Sequence, residues 1–120
     1  VGSTRKHILL PIFLLFVLAG CATTQQREET LRSKYPDWNN QEIQAVAARD
    51  VEPGMTTDMV REALGRQGDT KNGQGMGEEI WIYYKEITGG EGAYWKPCYW
   101  VYFKNGKVDR AVGEKVIYPW

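Results

Sequence analysis

The side chains with the most chemistry to offer in this 120-residue chain are two thiols, Cys21 and Cys98, and four carboxylates around one aromatic run, Glu78, Glu79, Glu86 and Glu91. A thiol or hydroxyl nucleophile needs a base beside it, yet the single histidine is His7 and the serines are Ser3 and Ser33. Once residues 1–20 are read as a leader, no histidine remains, which excludes Ser/His and Cys/His catalysis and His-ligated zinc. Paired acids can hydrolyse glycosides, but they need a groove and a separation of about 5–9 Å; acids at strand ends form a solvated rim, so a non-enzyme is expected. Gly68, Gly73, Gly75 and Gly77 invite a phosphate-loop reading, but no Gly-Lys-Ser or Gly-Lys-Thr leads into a helix. Neither a cofactor nor a metal is expected.

Of the two thiols, Cys21 directly follows an apolar segment and Cys98 lies far downstream. A Cys21–Cys98 disulfide is formally possible, but the context of Cys21 assigns its sulfur to other chemistry, leaving Cys98 as a buried small hydrophobe. Residues 1–7 carry Arg5, Lys6 and His7, and residues 8–19 are apolar, the n-region and h-region of a signal peptide. A dozen helical residues span roughly 18 Å, short of the roughly 30 Å hydrocarbon core, so cleavage rather than a permanent span is expected. Leu18-Ala19-Gly20-Cys21 resembles the bacterial lipobox, which implies a diacylglyceryl group on the Cys21 sulfur and an acylated amine. Several acyl chains hold a protein on a membrane essentially permanently. Ala22, where Asp would retain the protein in enteric-type bacteria, implies the inner leaflet of the outer membrane, with the domain facing the periplasm. The alternative is a secreted protein cut at Ala19.

Residues 22–30 are polar and without apolar periodicity, which suggests a flexible tether; Arg27 to Tyr35 can form a helical turn or two, with Glu28 four residues before Arg32. The expected organisation is therefore a signal peptide over 1–20, a lipidated N-terminus and tether over 21–38, and one domain over 39–120. The chain balances 15 Lys plus Arg against 15 Asp plus Glu; with Arg5 and Lys6 in the leader, 13 face 15 downstream. No basic patch dominates, which argues against nucleic acid.

Within the domain, Asn39-Asn40 opens a helix with Ile43, Val46 and Ala47 on one face. Pro53-Gly54 marks a turn, and Thr56 caps a second helix through Arg66, with Met55 and Val60 at the staple positions, Asp58 in the first turn and Gly65 at the left-handed stop. Gln67 to Glu78 reads as a mobile loop. Glu79–Glu86 and Tyr99–Phe103 read as strands, and Asn105-Gly106 as a two-residue hairpin turn pairing Phe103 with Val108, Tyr102 with Asp109 and Val101 with Arg110. Trp81, Tyr83, Tyr99, Val101, Phe103, Val108 and Val112 then share a face beneath the helices. Arg110 fits that face badly: either its guanidinium lies over an aromatic ring at the rim, or the register slips by one. Ile80, Ile82, Tyr84, Trp100 and Tyr102 are left on the opposite face, to be covered by Tyr94, Trp95 or the tail 116–120, or by a partner.

Val51 to Thr56, Val60, Leu64-Gly65, Glu79 with Trp81 and Tyr83, then Val101, Phe103, Asn105-Gly106 and Val108 resemble the SmpA/OmlA family of BamE-like outer-membrane lipoproteins over roughly residues 43–112. The resemblance implies an α+β fold of two short helices packed on one face of a three-stranded antiparallel sheet, and a non-catalytic accessory of outer-membrane β-barrel assembly. The chain departs from the family at Arg66-Gln67, where a proline usually follows Leu-Gly, and lacks the Gln-Gly-Asn segment before the first helix. The family's lipid and partner contacts there are therefore carried onto no residue. Expected partners are the membrane, through Cys21, and an envelope protein, with the barrel-assembly machinery the first candidate. The alternative function is a protein inhibitor of a periplasmic hydrolase on the same small fold.

Overall fold

The computed structural model describes residues 23–119. The expected signal peptide, the lipidation site Cys21 and Ala22 lie outside the described residues. The chain divides into two compact units, Val1–Ile43 and Gln44–Trp120. No helix among the described residues is long and apolar enough to cross a membrane.

In the first unit, residues 23–34 form helix α1. The polar stretch expected as a tether is thus helical over its described part. Gln, Glu and Arg are good helix formers, no glycine or proline interrupts them before Pro36, and Glu28 pairs with Arg32 at 3.5 Å one turn on. Tyr35 N–H donates to the Leu31 carbonyl at 2.7 Å, and Pro36 stops the helix. The Tyr35 and Trp38 rings then stack at 3.9 Å, and Asn39 opens α2 (Asn40–Ala47) through a reciprocal capping box. Glu42 N–H donates to Asn39 Oδ1 at 2.8 Å, and Asn39 N–H to Glu42 Oε1 at 2.9 Å.

α2 crosses into the second unit and ends there in a Schellman pattern: Arg49 N–H donates to the Val46 carbonyl and Asp50 N–H to the Ala45 carbonyl. Arg49 takes the left-handed position usual for glycine, at φ 64. Its side chain has work there, since Nη1 donates to the Ala63 and Tyr118 carbonyls at 3.4 and 3.1 Å. Helix α3 (Thr57–Leu64) forms as its caps dictate, with Thr56 Oγ1 accepting Met59 N–H and Gly65 at φ 91. Met59, Val60, Ala63 and Leu64 are buried.

The second unit is α+β, with an antiparallel meander of four strands rather than the expected three, ordered β1-β2-β3-β4. β1 (Asp69–Asn72) lies inside the segment expected as a loop. All four of its side chains are exposed, so hydrophobic patterning is silent and the backbone ladder to β2 alone defines it. β2 (Glu78–Gly89) and β3 (Gly92–Lys104) run as a ribbon well past the expected ends. Pro97 is tolerated because it sits at a bulge: Tyr83 pairs with Tyr99 and Tyr84 with Pro97, leaving Cys98 as the extra residue. β4 (Lys107–Gly113) follows a type I′ turn at Asn105 (φ 52) and Gly106 (φ 80).

A second bulge corrects the expected register. Phe103 pairs with Val108, but Tyr102 pairs with Arg110 and Trp100 with Val112, so Asp109 is the extra residue. Every later side chain of β4 changes sides. Val112, expected in the core, lies on the outer face at 49% exposure, and Arg110 stacks on Tyr102 at 3.9 Å. The core face keeps Trp81, Tyr83, Tyr99, Val101, Phe103 and Val108, all buried, with the Trp81 and Phe103 rings 4.7 Å apart. α3 lies across this face. Its entering end is tied to β4 by Gly54 N–H donating to the Val108 carbonyl and Val108 N–H to the Met55 carbonyl, both 2.8 Å; at its leaving end Tyr83 Oη donates to the Arg66 carbonyl at 2.9 Å.

Candidate functional site

The five residues singled out from the sequence come together on the face of the sheet turned away from α3. Ile80 pairs directly with Tyr102 and Ile82 with Trp100, and Tyr84 stands opposite Pro97. Directly paired residues share a face with Cβ atoms about 5 Å apart. Two rows therefore cross the four strands: Lys71, Ile80, Tyr102 and Arg110 in one, Asp69, Ile82, Trp100 and Val112 in the next. The five are half-buried by one another, and the charges stand at the ends of the rows. Arg110 and Val112 escape sequence reasoning because only the Asp109 bulge brings them here.

Over its described residues the tail does not cover this face; Trp120 lies outside them. Tyr118 N–H donates to the Leu64 carbonyl at 2.8 Å, and its ring lies 6.3 Å from that of the core residue Tyr83, with the Arg66 guanidinium over it at 4.9 Å. Its hydroxyl donates to the Tyr84 carbonyl at 3.2 Å. The tail is thus strapped to the helix side and to one edge of β2. Tyr94 and Trp95, the other expected covers, stay on the ribbon: Tyr94 stands opposite Ile87 and is 58% exposed, and Trp95 stands opposite Glu86 and is 65% exposed. A groove of about 390 Å³ opens beside it, between Gly68, Asp69, Ile82, Tyr84, Trp95 and Tyr118.

The carboxylates that invited a catalytic reading have structural partners or stand in solvent. Glu79 accepts from Trp81 Nε1 at 2.8 Å and Glu78 from Gly75 N–H at 3.1 Å, while Glu86 and Glu91 are exposed. Cys98 is a free thiol, buried in the bulge with Sγ 3.6 Å from the Tyr83 carbonyl, and burial pushes its pKa up. Burial likewise holds the Tyr83 and Tyr99 phenols above their ordinary range. Among the described residues no group of His, Cys, Asp and Glu is arranged to hold a metal. Set against known proteins, the chain matches no family model, no curated protein and no solved structure.

Proposed function

We propose that this protein is a non-catalytic lipoprotein of the bacterial envelope, anchored through Cys21 to the inner leaflet of the outer membrane, that docks a protein partner on the outer face of its sheet. The observation that carries the docking reading is the two-row patch, apolar at its centre and charged at its ends, left open by the described residues of the tail. Interfaces share this anatomy, with Tyr, Trp and Arg as their usual anchors. The anchoring reading rests on Leu18-Ala19-Gly20-Cys21. Helices α2 and α3 followed by three long antiparallel strands support kinship with the SmpA/OmlA family, α1 and β1 being additions, and on that reading the partner is a subunit of the barrel-assembly machinery.

The test is a photo-crosslinking amino acid placed at Trp100, and separately at Ile82, in the lipidated protein in its native host. Capture of barrel-assembly subunits from both positions is the expected result. Capture of the chain's own tail, or of nothing, refutes the docking role.

A further inference from the structure

β2 is 12 residues long, but β1 pairs with only Glu79 to Ile82. The chain that becomes β1 arrives at Gly68, pressed so close that a Cβ there would stand 2.9 Å from the Ile82 carbonyl oxygen and from the Tyr83 ring. Beyond that point the edge of β2 is open. Peptide groups alternate sides along a strand: the Glu78 carbonyl accepts Gly73 N–H on the β1 side, while the Tyr83 carbonyl faces Cys98 of β3. The same alternation turns the N–H and C=O groups of Tyr84, Glu86 and Thr88 outward. Among the described residues, the Tyr118 hydroxyl on the Tyr84 carbonyl is the one partner these groups have.

The opposite edge of the ribbon is blunted. Pro97 has no N–H, Cys98 is bulged, and the Cys98 carbonyl accepts Glu114 N–H at 2.8 Å. The Tyr84–Thr88 edge carries no proline. A row of open backbone donors and acceptors is matched by one kind of group, another backbone in extended conformation. Side chains narrow the choice further. Glu86 is an exposed carboxylate without an ion pair among the described residues, and Tyr84, the first residue of the edge, lines the groove together with Trp95.

We propose that the Tyr84–Thr88 edge of β2 is a strand-addition site for an extended segment of a partner polypeptide, with a basic residue opposite Glu86 and a bulky apolar residue seated in the groove. The site adjoins the outer face and shares Ile82 and Tyr84 with it through the groove, but it is read by the backbone edge rather than by that face: Ile80, Ile82, Trp100 and Tyr102 lie on strand segments already paired on both sides.

The test selects short peptides from a displayed random library against the full chain and follows backbone amide exchange by NMR. Bound peptide slows the Glu86 and Thr88 amides by about ten-fold or more and leaves Lys85 and Ile87, already paired with β3, unchanged. N-methylation of alternate peptide nitrogens abolishes binding. Failure to enrich any peptide, peptides that leave these amides fast, or N-methylated peptides that bind equally well overturn the proposal. Protection that rises with protein concentration alone also overturns it, by giving the edge to a second copy of the chain.

Discussion

Gly65 joins two features that a single substitution can separate. It closes α3 at φ 91, and a Cβ built on it would stand 2.4 Å from the Tyr118 carbonyl oxygen. Gly65→Ala therefore incurs a left-handed penalty of about 1–2 kcal/mol and must also push the tail away. Displacing the tail forfeits the bond from Tyr118 N–H to the Leu64 carbonyl and that from Arg49 to the Tyr118 carbonyl, each about 0.5–1.5 kcal/mol. The sum is about 2–5 kcal/mol. Gly54, at φ 92 with nothing within 4 Å of its Cβ position, supplies the control. Gly54→Ala should cost about 1–2 kcal/mol, the conformational penalty alone. Urea unfolding followed by tryptophan fluorescence measures both, and in a chain lacking residues 116–120 the two substitutions should cost the same. Equal costs in the full chain, within about 0.5 kcal/mol, would refute the claim that the tail is strapped to α3.

Other expectations follow from burial and register. The Tyr83 phenol is held above its ordinary 10.0 by burial, so the folded chain holds that proton more tightly than the unfolded one; the contribution is complete below about pH 10 and is lost as pH rises further. Tyr83→Phe should flatten the alkaline decline in stability while costing about 1 kcal/mol at neutral pH for the bond to Arg66, and an unchanged alkaline slope would count against it. Cys98 should alkylate slowly at pH 8 in the native protein and quickly in urea, because burial suppresses its thiolate; native labelling as fast as a small free thiol would contradict this. Val108→Ala should cost about 2 kcal/mol and Val112→Ala close to nothing, whereas comparable losses at the two positions would mean that the Asp109 bulge is absent.

What the sequence made legible was whatever local chemistry determines. Thr56, Met55, Val60 and Gly65 mark α3 because caps and staples act within a few residues, and Asn105-Gly106 marks its hairpin because few residues accept two positive φ angles in succession. The five-residue outer face was legible for a similar reason, since strict alternation along β2 and β3 is a period-2 signal. β1 was hidden because none of its side chains is buried. The Asp109 bulge was hidden because one extra residue is silent in composition; Arg110 was its trace, a charge at a position the unslipped register made apolar. The strands expected at Glu79–Glu86 and Tyr99–Phe103 left residues 87–98 without an element, and the ribbon runs through them because Pro97 falls on the bulge.

The clasp between Gly54-Met55 and Val108 also orders events in time. Each strand of the meander pairs with the strand beside it in sequence, so the ladders close over short loops and can zip quickly. The clasp instead joins positions more than fifty residues apart, and the link from Leu64 to Tyr118 spans just as far. A chain threaded N-terminus first through a narrow exit therefore delivers α3 well before the strand that anchors it. Until Val108 emerges, α3 has an apolar stripe and half a sheet to lie on. Final locking waits for the last residues, which makes this interval the period when the chain is most open to proteases and to companions that shield exposed apolar surface.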